Sequence, residues 1–365
     1  MRVFFALDFI MYDYLIVGAG LAGITFAETA IQNEKNVIVI NDNSQNSSVV
    51  AGGLYNPVIL KRFTEVWQSQ PQLNLLTEFY NSLEQKLNLK LDYKIPLLRK
   101  FYSVEEQNNW FAASDKPGLI NYLSTNLVAS NYKSIEAPFG YGEVLQTGYV
   151  DTFSLIQAYK FYLQSINSFV EETFSHDKVI IQEEFLEYKN LKAKHIVFAE
   201  GFGMLSNPFF KSLPLDGAKG ELLLIKAPNL KIDVIIKSSI FILPIEDDLY
   251  KVGATYNWVD KSSTPTEEAK QELLKELDEL IQCDYEVLDH FAGVRPTVKD
   301  RKPMLGSHPI YKNLHVLNGL GTRGVMLAPA MAKMLFESIE KDIPLDDFVN
   351  IKRFKNAFSS LYQNE

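Results

Sequence analysis

A glycine-rich turn near the start of the chain has the residue types and spacing suited to binding phosphates. Gly18, Gly20 and Gly23 follow an apolar run at 12–17 and open a segment with helical periodicity that extends to Gln32. In such a turn the first glycine permits the tight bend, the second lets the backbone approach a pyrophosphate, and the third allows close packing of helix on strand. We therefore predict a dinucleotide site here.

The residues on either side of this turn define the rest of that predicted site. Leu21 and Ala22 begin the helix, whose free N–H groups and positive dipole end would face the phosphates. A second apolar run at 37–40 ends at Asn41 and Asp42, where an acidic side chain commonly binds the ribose hydroxyls. Asn41 occupies the usual acidic position, and its amide can still bond a hydroxyl. No arginine follows nearby, which disfavours NADP, but the spacing alone does not separate FAD from NAD.

Composition places the chain among folded globular proteins of roughly two domains, at ~150 residues each. Its 365 residues are 47% hydrophobic, which excludes disordered and collagen-like classes. The formal net charge of −9 disfavours a nucleic acid partner. Cys283 is the single cysteine, so an intrachain disulfide is excluded, and the five histidines lack metal-ligand spacing. With no apolar run of ~18–20 residues, we expect a reduced, cytoplasmic protein without a membrane span or a metal.

Further motifs follow in a consistent order along the chain. They are Ala51-Gly52-Gly53, Gly148-Tyr149-Val150-Asp151, Ile196 to Gly201, Leu213-Pro214-Leu215 with Lys219-Gly220, Pro244, Gly253, Gly293-Val294-Arg295-Pro296, and Gly319 to Val325. In this order and spacing the chain resembles the D-amino-acid oxidase family of flavoproteins, which includes glycine oxidase and sarcosine oxidase. The matches extend from Met11 to about Ile343.

The resemblance implies an α/β fold, α+β overall, in which a Rossmann-like FAD-binding domain is interleaved with a substrate domain built on a mixed β-sheet. We expect the FAD-binding domain to comprise residues 11–70, 148–212 and 290–345. Residues 71–147 and 213–289 would form the substrate domain. Residues 1–10 would be an N-terminal extension that the fold does not need, and 346–365 a C-terminal tail.

One helix of the expected substrate domain has a clear sequence signature. Thr264 is a predicted N-cap, with Pro265 in the first turn and Glu267 completing a capping box. Five aliphatic residues then recur on one face, which indicates a cover for the sheet or a dimer face: Leu273, Leu274, Leu277, Leu280 and Ile281. The sequence therefore leaves open whether the protein forms a homo-oligomer.

The resemblance also implies a set of cofactor contacts. FAD would be noncovalent, because Cys283 lies well before the late position at which some family members attach it. A strand and a helix flank the turn at 319–324, so a second helix N-terminus would face the flavin. The expected cofactor-binding residues are Gly18, Gly20, Leu21, Ala22, Gly23, Asn41, Asp42, Ala51, Gly52, Gly53, Ala199, Gly201, Gly319, Leu320, Gly321, Thr322, Arg323, Gly324 and Val325.

Substrate contacts are expected from a few side chains. In the family, the arginine matched by Arg295 binds the substrate carboxylate, and a guanidinium can do so through two parallel hydrogen bonds. A structural arginine paired to a buried acid is the alternative. Phe241 stands where the oxidases usually have a tyrosine, so Tyr256 or another tyrosine would have to supply the hydroxyl. Arg323 is either a second anion contact or a residue over the flavin.

Three functions follow as hypotheses. The first is hydride transfer from the C–N bond of an amino acid or N-substituted glycine to FAD, with oxygen or another acceptor taking the electrons. The second is processing of the carboxymethylaminomethyl group of tRNA wobble uridine, because the 53–57 and 319–324 segments also resemble the flavin domain of that bifunctional enzyme. The third is a flavin-binding protein without turnover, which the loss of the tyrosine hydroxyl at Phe241 keeps open.

Overall fold

The structure is a computed structural model that describes residues 10–129 and 132–359. The expected N-terminal extension therefore lies outside the described residues except for Ile10. The division of the chain into two domains stays a prediction.

Twenty-one strands and six α-helices occur in the described part of the chain. The strands are β1 (Met11–Val17), β2 (Val37–Asn41), β3 (Leu54–Tyr55), β4 (Val58–Ile59), β5 (Thr64–Glu65), β6 (Asp92–Tyr93), β7 (Leu97–Lys100), β8 (Leu123–Val128), β9 (Tyr141–Val144), β10 (Gly148–Val150), β11 (Phe169–Glu171), β12 (Val179–Ile181), β13 (Leu186–Tyr188), β14 (Leu191–Phe198), β15 (Leu215–Lys226), β16 (Ile235–Lys237), β17 (Phe241–Pro244), β18 (Leu249–Gly253), β19 (Glu286–Val298), β20 (Met304–Ser307) and β21 (Leu314–Asn318). The helices are α1 (Leu21–Gln32), α2 (Ser69–Leu87), α3 (Val104–Ser114), α4 (Thr152–Ser165), α5 (Glu267–Asp278) and α6 (Gly324–Glu340).

The first large sheet has a parallel centre with strand order β11-β2-β1-β14, and β21 extends it on the far side of β14. An antiparallel β12–β13 pair and β20 complete it. The last four residues of β1 and the first four of β2 are buried, as expected of parallel strands covered on both faces. The β1–α1–β2 unit matches the predicted strand, turn and helix, and α1 packs against α6.

The second large sheet is mixed, with strand order β19-β15-β18-β17-β16-β7-β9-β8. Only the β16–β7 pair is parallel, and this pair joins residues that are about 140 positions apart in sequence. Side chains alternate between faces along each strand, so the register places Arg295, Gly220, Leu222, Gly253, Phe241 and Lys237 on one face. We call this face the roof, because it covers the cavity described below. A mixed α/β architecture with mixed sheets was predicted and is confirmed.

The predicted substrate-domain helix exists, but its start was wrong by two residues. Thr266 is the N-cap of α5, and its hydroxyl accepts a hydrogen bond from the Ala269 amide. Thr264 is held outside the helix, because its carbonyl accepts a hydrogen bond from the buried ammonium of Lys219. The aliphatic stripe covers the sheet, with Leu273 and Leu277 fully buried.

Two further features concern the periphery. Within residues 10–129 and 132–359, no helix combines the length and the hydrophobicity needed to cross a bilayer. The segment predicted as a C-terminal tail is tied to the first sheet as far as the structure describes it, since Ile351 is buried and the Leu305 amide donates to the Val349 carbonyl.

Candidate functional site

A cavity of about 750 Å³ separates the carboxyl edge of the first sheet from the roof. It runs from Asn41 and Asp42 past the β1–α1 turn to Gly52, and then to Arg295. This volume is within the range of ligand and cofactor sites. The two sheets thus contribute different walls to one site.

The β1–α1 turn belongs to the cavity wall opposite the roof, which we call the floor. Its glycines have the roles that their spacing predicts. Gly18 has φ of +103°, a backbone conformation that side chains rarely adopt. A Cβ on Gly23 would lie 1.9 Å from the Gly18 carbonyl oxygen, so this glycine allows α1 to pack closely on the turn. Gly23 does not line the cavity; its role is in packing.

The side chains of Ser48 and Asn41 support the turn, and Ser48 was not among the site residues predicted from the sequence. The Ser48 hydroxyl accepts a hydrogen bond from the Leu21 amide at 3.2 Å, which satisfies a donor at the start of α1. The Asn41 amide oxygen accepts from the Ala19 amide at 3.1 Å, and its nitrogen donates to Asn43. Asn41 therefore braces the turn, while Asp42 lies beside it in the cavity wall.

The 51–53 segment lies against β10 and below the roof. Gly53 has φ of +70°, and a Cβ there would lie 1.9 Å from the Val150 carbonyl oxygen. A Cβ on Gly52 would lie 2.9 Å from the ring of Phe241. Glycines at both positions therefore allow the chain to pass between β10 and the roof without filling the cavity.

At the end of β14 the chain turns along the opposite wall. Gly201 has φ of +56°, and a Cβ there would meet no atom within 4 Å, so its backbone borders open space. Its carbonyl accepts a hydrogen bond from Asn318 at 2.9 Å, which links this turn to the end of β21. Glu200 beside it pairs with His176 at 2.7 Å.

The second predicted helix N-terminus is present beside the start of α1. A short 3-10 turn at Gly321–Arg323 leads into α6, which begins at Gly324. Leu320 to Met326 line the cavity here, whereas Gly319 does not. Gly319 has φ of +74°, and a Cβ there would lie 2.5 Å from Val298, so it serves the turn itself.

Arg295 extends across the roof into the cavity. Its guanidinium lies over Gly220, where a Cβ would come within 1.9 Å of a guanidinium nitrogen. It donates to the Thr255 carbonyl at 3.2 Å and stacks against the Tyr256 ring at 4.6 Å. Burial lowers the pKa of the Arg295 guanidinium, although arginine remains protonated. In the part of the chain that the structure describes, no carboxylate forms an ion pair with it.

Two other predicted side chains lie near this guanidinium. Tyr256 is 59% exposed and lines the cavity. Arg323 is half-buried at the start of α6, and burial lowers its pKa as well. Trp258, two residues beyond Tyr256, is 46% exposed and contributes neither to the core nor to the cavity wall.

A buried lysine behind the roof holds the loop that carries Tyr256. Lys219 is fully buried, and its ammonium lies 2.6 Å from Asp260 and 3.2 Å from Glu221. Its backbone also exchanges two hydrogen bonds of 2.9 Å with Asn257. The Thr255–Asn257 backbone, which contacts Arg295, is therefore fixed by Lys219 from the opposite face of β15.

Most of the predicted site residues meet at this cavity. The lining includes Gly18, Gly20, Leu21, Ala22, Asn41, Asp42, Ala51, Gly52, Gly53, Ala199, Gly201, Leu320, Gly321, Thr322, Arg323, Gly324, Val325, Phe241, Tyr256 and Arg295. Their assignment to cofactor or substrate stays a prediction.

Several lining residues were not predicted as site residues. Lys61, Lys237 and Ser239 line one part of the cavity, and Glu172 and His176 line the part near Asp42. Lys61 lies in the loop between β4 and β5, and Lys237 ends β16. No local motif marks either lysine, and Lys237 reaches the cavity only through the long-range pairing of β16 with β7.

The cavity fits a dinucleotide such as FAD. Three glycines, Gly20, Gly201 and Gly321, leave their backbone exposed to the cavity. A Cβ added at any of them would come no closer than 3.1 Å to another atom, and that atom belongs to a side chain. Two neighbouring helix N-termini, of α1 and α6, face it, since a Cβ on Gly324 would lie 3.1 Å from the side chain of Leu21. The first could hold a pyrophosphate and the second the electron-rich edge of a flavin ring.

Comparison with known proteins identifies a family and several proteins whose sequences are similar to this chain. The sequence profile described as FAD dependent oxidoreductase matches residues 13–338. The glycine oxidase of Bacillus subtilis is 27% identical over 219 residues, which are 55% of this chain and 59% of that protein. The chain thus spans less than two thirds of this relative. The tRNA 5-methylaminomethyl-2-thiouridine biosynthesis bifunctional protein of Marinobacter nauticus is 28% identical over 41% of this chain and 26% of its own length.

The fold recurs among solved structures. Glycine oxidase from Geobacillus kaustophilus superposes with a TM-score of 0.75 at 19% identity, covering 92% of this chain and 96% of that one. Iminodiacetate oxidase from Chelativorans sp. BNC1 superposes with a TM-score of 0.73 at 18% identity, covering 92% and 98%. At such identities these structures establish the fold.

Proposed function

We propose, from the premise that this chain belongs to the FAD dependent oxidoreductase family, that it oxidises the C–N bond of an amine that carries a carboxylate. It is an FAD-dependent amino acid or amine oxidoreductase. The finer proposal is that the substrate is an amino acid or an N-substituted glycine, bound through its carboxylate at Arg295.

The observation that carries this proposal is an arginine without an acidic partner in a cavity wall. The Arg295 guanidinium donates to the neutral carbonyl of Thr255, and its remaining N–H groups are available to a ligand. A half-buried cation that borders a cavity is stabilised by a bound anion, and a guanidinium suits the two oxygens of a carboxylate. The alternative of a structural arginine needs a carboxylate partner that the described residues do not supply.

The remaining roof residues would orient the substrate and exclude water. Phe241 and Leu222 provide an apolar surface beside Arg295, which would favour the neutral form of the amine. Tyr256 would fix the guanidinium plane by stacking, and its hydroxyl could replace the one missing at Phe241. FAD, when bound, supplies the hydride-accepting chemistry.

We propose that FAD is held noncovalently on the floor. Gly18, Gly20 and the start of α1 would bind its pyrophosphate, and the start of α6 would face its ring. Cys283 follows α5 and does not line the cavity, so it is not placed to attach the flavin. Oxygen or another acceptor would reoxidise the flavin.

A second candidate is the same reaction on a tRNA-borne N-substituted glycine. It is favoured by the charge of the substrate end of the cavity, where Lys61, Lys237, Arg295 and Arg323 line the wall. Phosphates attract such a group of cations. The net charge of −9 opposes it, so a free amine or amino acid remains the first candidate.

An anaerobic titration tests the proposal. Purified protein is followed by its visible flavin spectrum while glycine, sarcosine, other amino acids and finally carboxymethylaminomethyl-modified tRNA are added. Bleaching by a free amino acid or N-alkylglycine supports the first candidate, and bleaching by the tRNA alone supports the second. A flavin band that no compound bleaches contradicts both and indicates a non-catalytic flavoprotein.

A further inference from the structure

Lys237 places a second cation on the roof, far from Arg295. It ends β16, pairs in register with Phe241 on one side and with Arg99 on the other, and lines the cavity. The side chain is half-buried. Leu97 and Ser239 border the cavity beside it, so the apolar roof ends here in a charged group.

Lys237 forms no ion pair within the described residues, although the Glu276 carboxylate, which accepts a hydrogen bond from the Ser239 hydroxyl, acts on it electrostatically. Its ammonium donates to the neutral Ser239 carbonyl at 2.9 Å, and no described carboxylate forms an ion pair with it. Arg99, in contrast, pairs with Glu106 at 2.8 Å. Burial and, to a smaller extent, the Arg99 charge outweigh the opposing effect of Glu276 and lower the pKa of Lys237 to about 8, so the ammonium is mainly protonated at neutral pH. Such an environment favours a bound anion.

A second basic side chain borders the same end of the cavity. Lys61 extends from the β4–β5 loop and is exposed. It therefore adds positive charge where this end of the cavity opens to solvent, which we call the mouth. The acids that line the cavity, Asp42, Glu172 and Glu200, belong to the opposite end. An anion that enters near Lys237 therefore meets cations without a compensating carboxylate in the lining.

The separation of the two roof cations sets the size of the ligand. Arg295 is on β19 and Lys237 on β16, which are four strand spacings apart in the sheet. At about 4.8 Å per spacing their backbones are roughly 20 Å apart, a gap that two long side chains shorten without closing. Leu222 and Phe241 form the apolar surface between them. A molecule that contacts both cations must be much longer than glycine.

We propose that Lys237 is the centre of a second anion subsite and that the substrate is an N-substituted glycine whose substituent ends in a carboxylate or phosphate. The inference rests on the proposed function for the carboxylate at Arg295. The aliphatic part of the substituent lies along Leu222 and Phe241. Its terminal anion binds the Lys237 ammonium, with Lys61 attracting it at the mouth.

Calorimetry on the FAD-loaded protein tests the subsite without requiring turnover. The probes are azelate, which has a carboxylate at each end, its monomethyl ester, and the ω-phosphono acid of equal length. We expect azelate to bind about tenfold tighter than the ester. Lys237→Met should remove that difference. The phosphono acid distinguishes the two terminal anions, since a tighter affinity than azelate identifies a phosphate site.

Lys251→Met is the matched control. Lys251 lies on β18 of the same sheet, burial lowers its pKa as well, and it does not line the cavity. This variant should keep the preference for azelate. Equal affinity for azelate and its ester in the native protein, or a preference that Lys237→Met leaves intact, would overturn the subsite. A Lys237-dependent preference in a protein whose flavin no amine bleaches would contradict the proposed reaction and leave the subsite standing.

Discussion

The floor and the roof of the cavity are built on different principles. The floor consists of glycine turns and helix N-termini, so its contacts to a ligand come from backbone N–H groups and from the space that missing side chains leave. The roof is a sheet face that presents specific side chains, among them Arg295, Phe241 and Lys237. A family can keep one floor for one cofactor while the roof changes with the substrate.

The two walls also differ in how they are stabilised. The floor rests on close backbone packing and on neutral buried groups such as His308 and His315. On the opposite face of the sheet that forms the roof, buried charges contribute to stability. Lys219 and Glu221 form ion pairs there. The contrast predicts different sensitivities to substitution and to pH.

The largest effect is expected on the floor, for Gly23→Leu. Its Cβ would lie 1.9 Å from the Gly18 carbonyl, a backbone atom that cannot yield without moving the turn. We expect a loss of more than about 4 kcal/mol in the free energy of unfolding, together with loss of bound FAD. Differential scanning calorimetry and the flavin absorbance per protein measure both.

Gly201→Ala is the control for that substitution. Its Cβ would meet no atom within 4 Å, so only the φ of +56° opposes it, at about 1–2 kcal/mol. Equal destabilisation by the two variants would mean that close packing at Gly23 is not what the floor depends on.

Behind the roof, Lys219→Met should have the next largest effect. The change leaves Glu221 buried and Asp260 without its partner at 2.6 Å, which should lower the free energy of unfolding by about 3 kcal/mol. Because the Thr255–Asn257 backbone loosens, KM for the substrate should also rise while FAD stays bound. Urea denaturation and steady-state kinetics separate the two effects.

Lys261→Met provides the comparison for Lys219. Its ion pair with Asp216, at 2.8 Å, involves the same loop, but both side chains are partly exposed, at 31% and 43%, whereas Lys219 is fully buried. Exposed pairs contribute less than about 1 kcal/mol. If Lys261→Met destabilised the protein as much as Lys219→Met, the burial of Lys219 would not matter.

The floor could be predicted from the sequence because its information is local. The β1–α1–β2 unit and α6 follow from apolar periodicity and glycine spacing within about 30 residues, and the structure has both. The N-cap of α5 could not be predicted correctly, because Lys219 and Glu221, more than 40 residues away, hold Thr264 and Thr266. Lys237 was missed for the same reason, since β16 has three residues and pairs with the distant β7.

Arg295→Gln tests the roof at the ligand itself. We expect the KM for the substrate to rise about hundredfold, which corresponds to about 2.8 kcal/mol, with FAD content and unfolding nearly unchanged. Gly220→Ala should have a similar effect, because its Cβ would occupy the position of the Arg295 guanidinium. Arg323→Gln is the comparison, and a rise in KM confined to Arg323→Gln would assign the carboxylate to that side of the cavity.

The smallest effect is a dependence on pH that separates the two walls. His308 is 3% exposed and accepts amide hydrogen bonds from Ile310 and Tyr311, and burial lowers its pKa to about 4. The unfolded chain binds a proton near pH 6.5, whereas the folded chain does not, so stability is lost as the pH falls from 6.5 toward 4. Between pH 7 and pH 5 this histidine should remove about 2 kcal/mol.

His308→Asn isolates that contribution, because the asparagine oxygen can accept the same amide bonds without titrating. We expect urea denaturation at pH 7 and pH 5 to give a smaller difference for the variant than for the native protein. Some dependence should persist, since burial also lowers the pKa of His315 well below its ordinary value. Because His308 and His315 both belong to the first sheet and its edge, acid should weaken the floor before it affects the ion pairs behind the roof. An unchanged slope in His308→Asn would place the acid sensitivity elsewhere in the molecule.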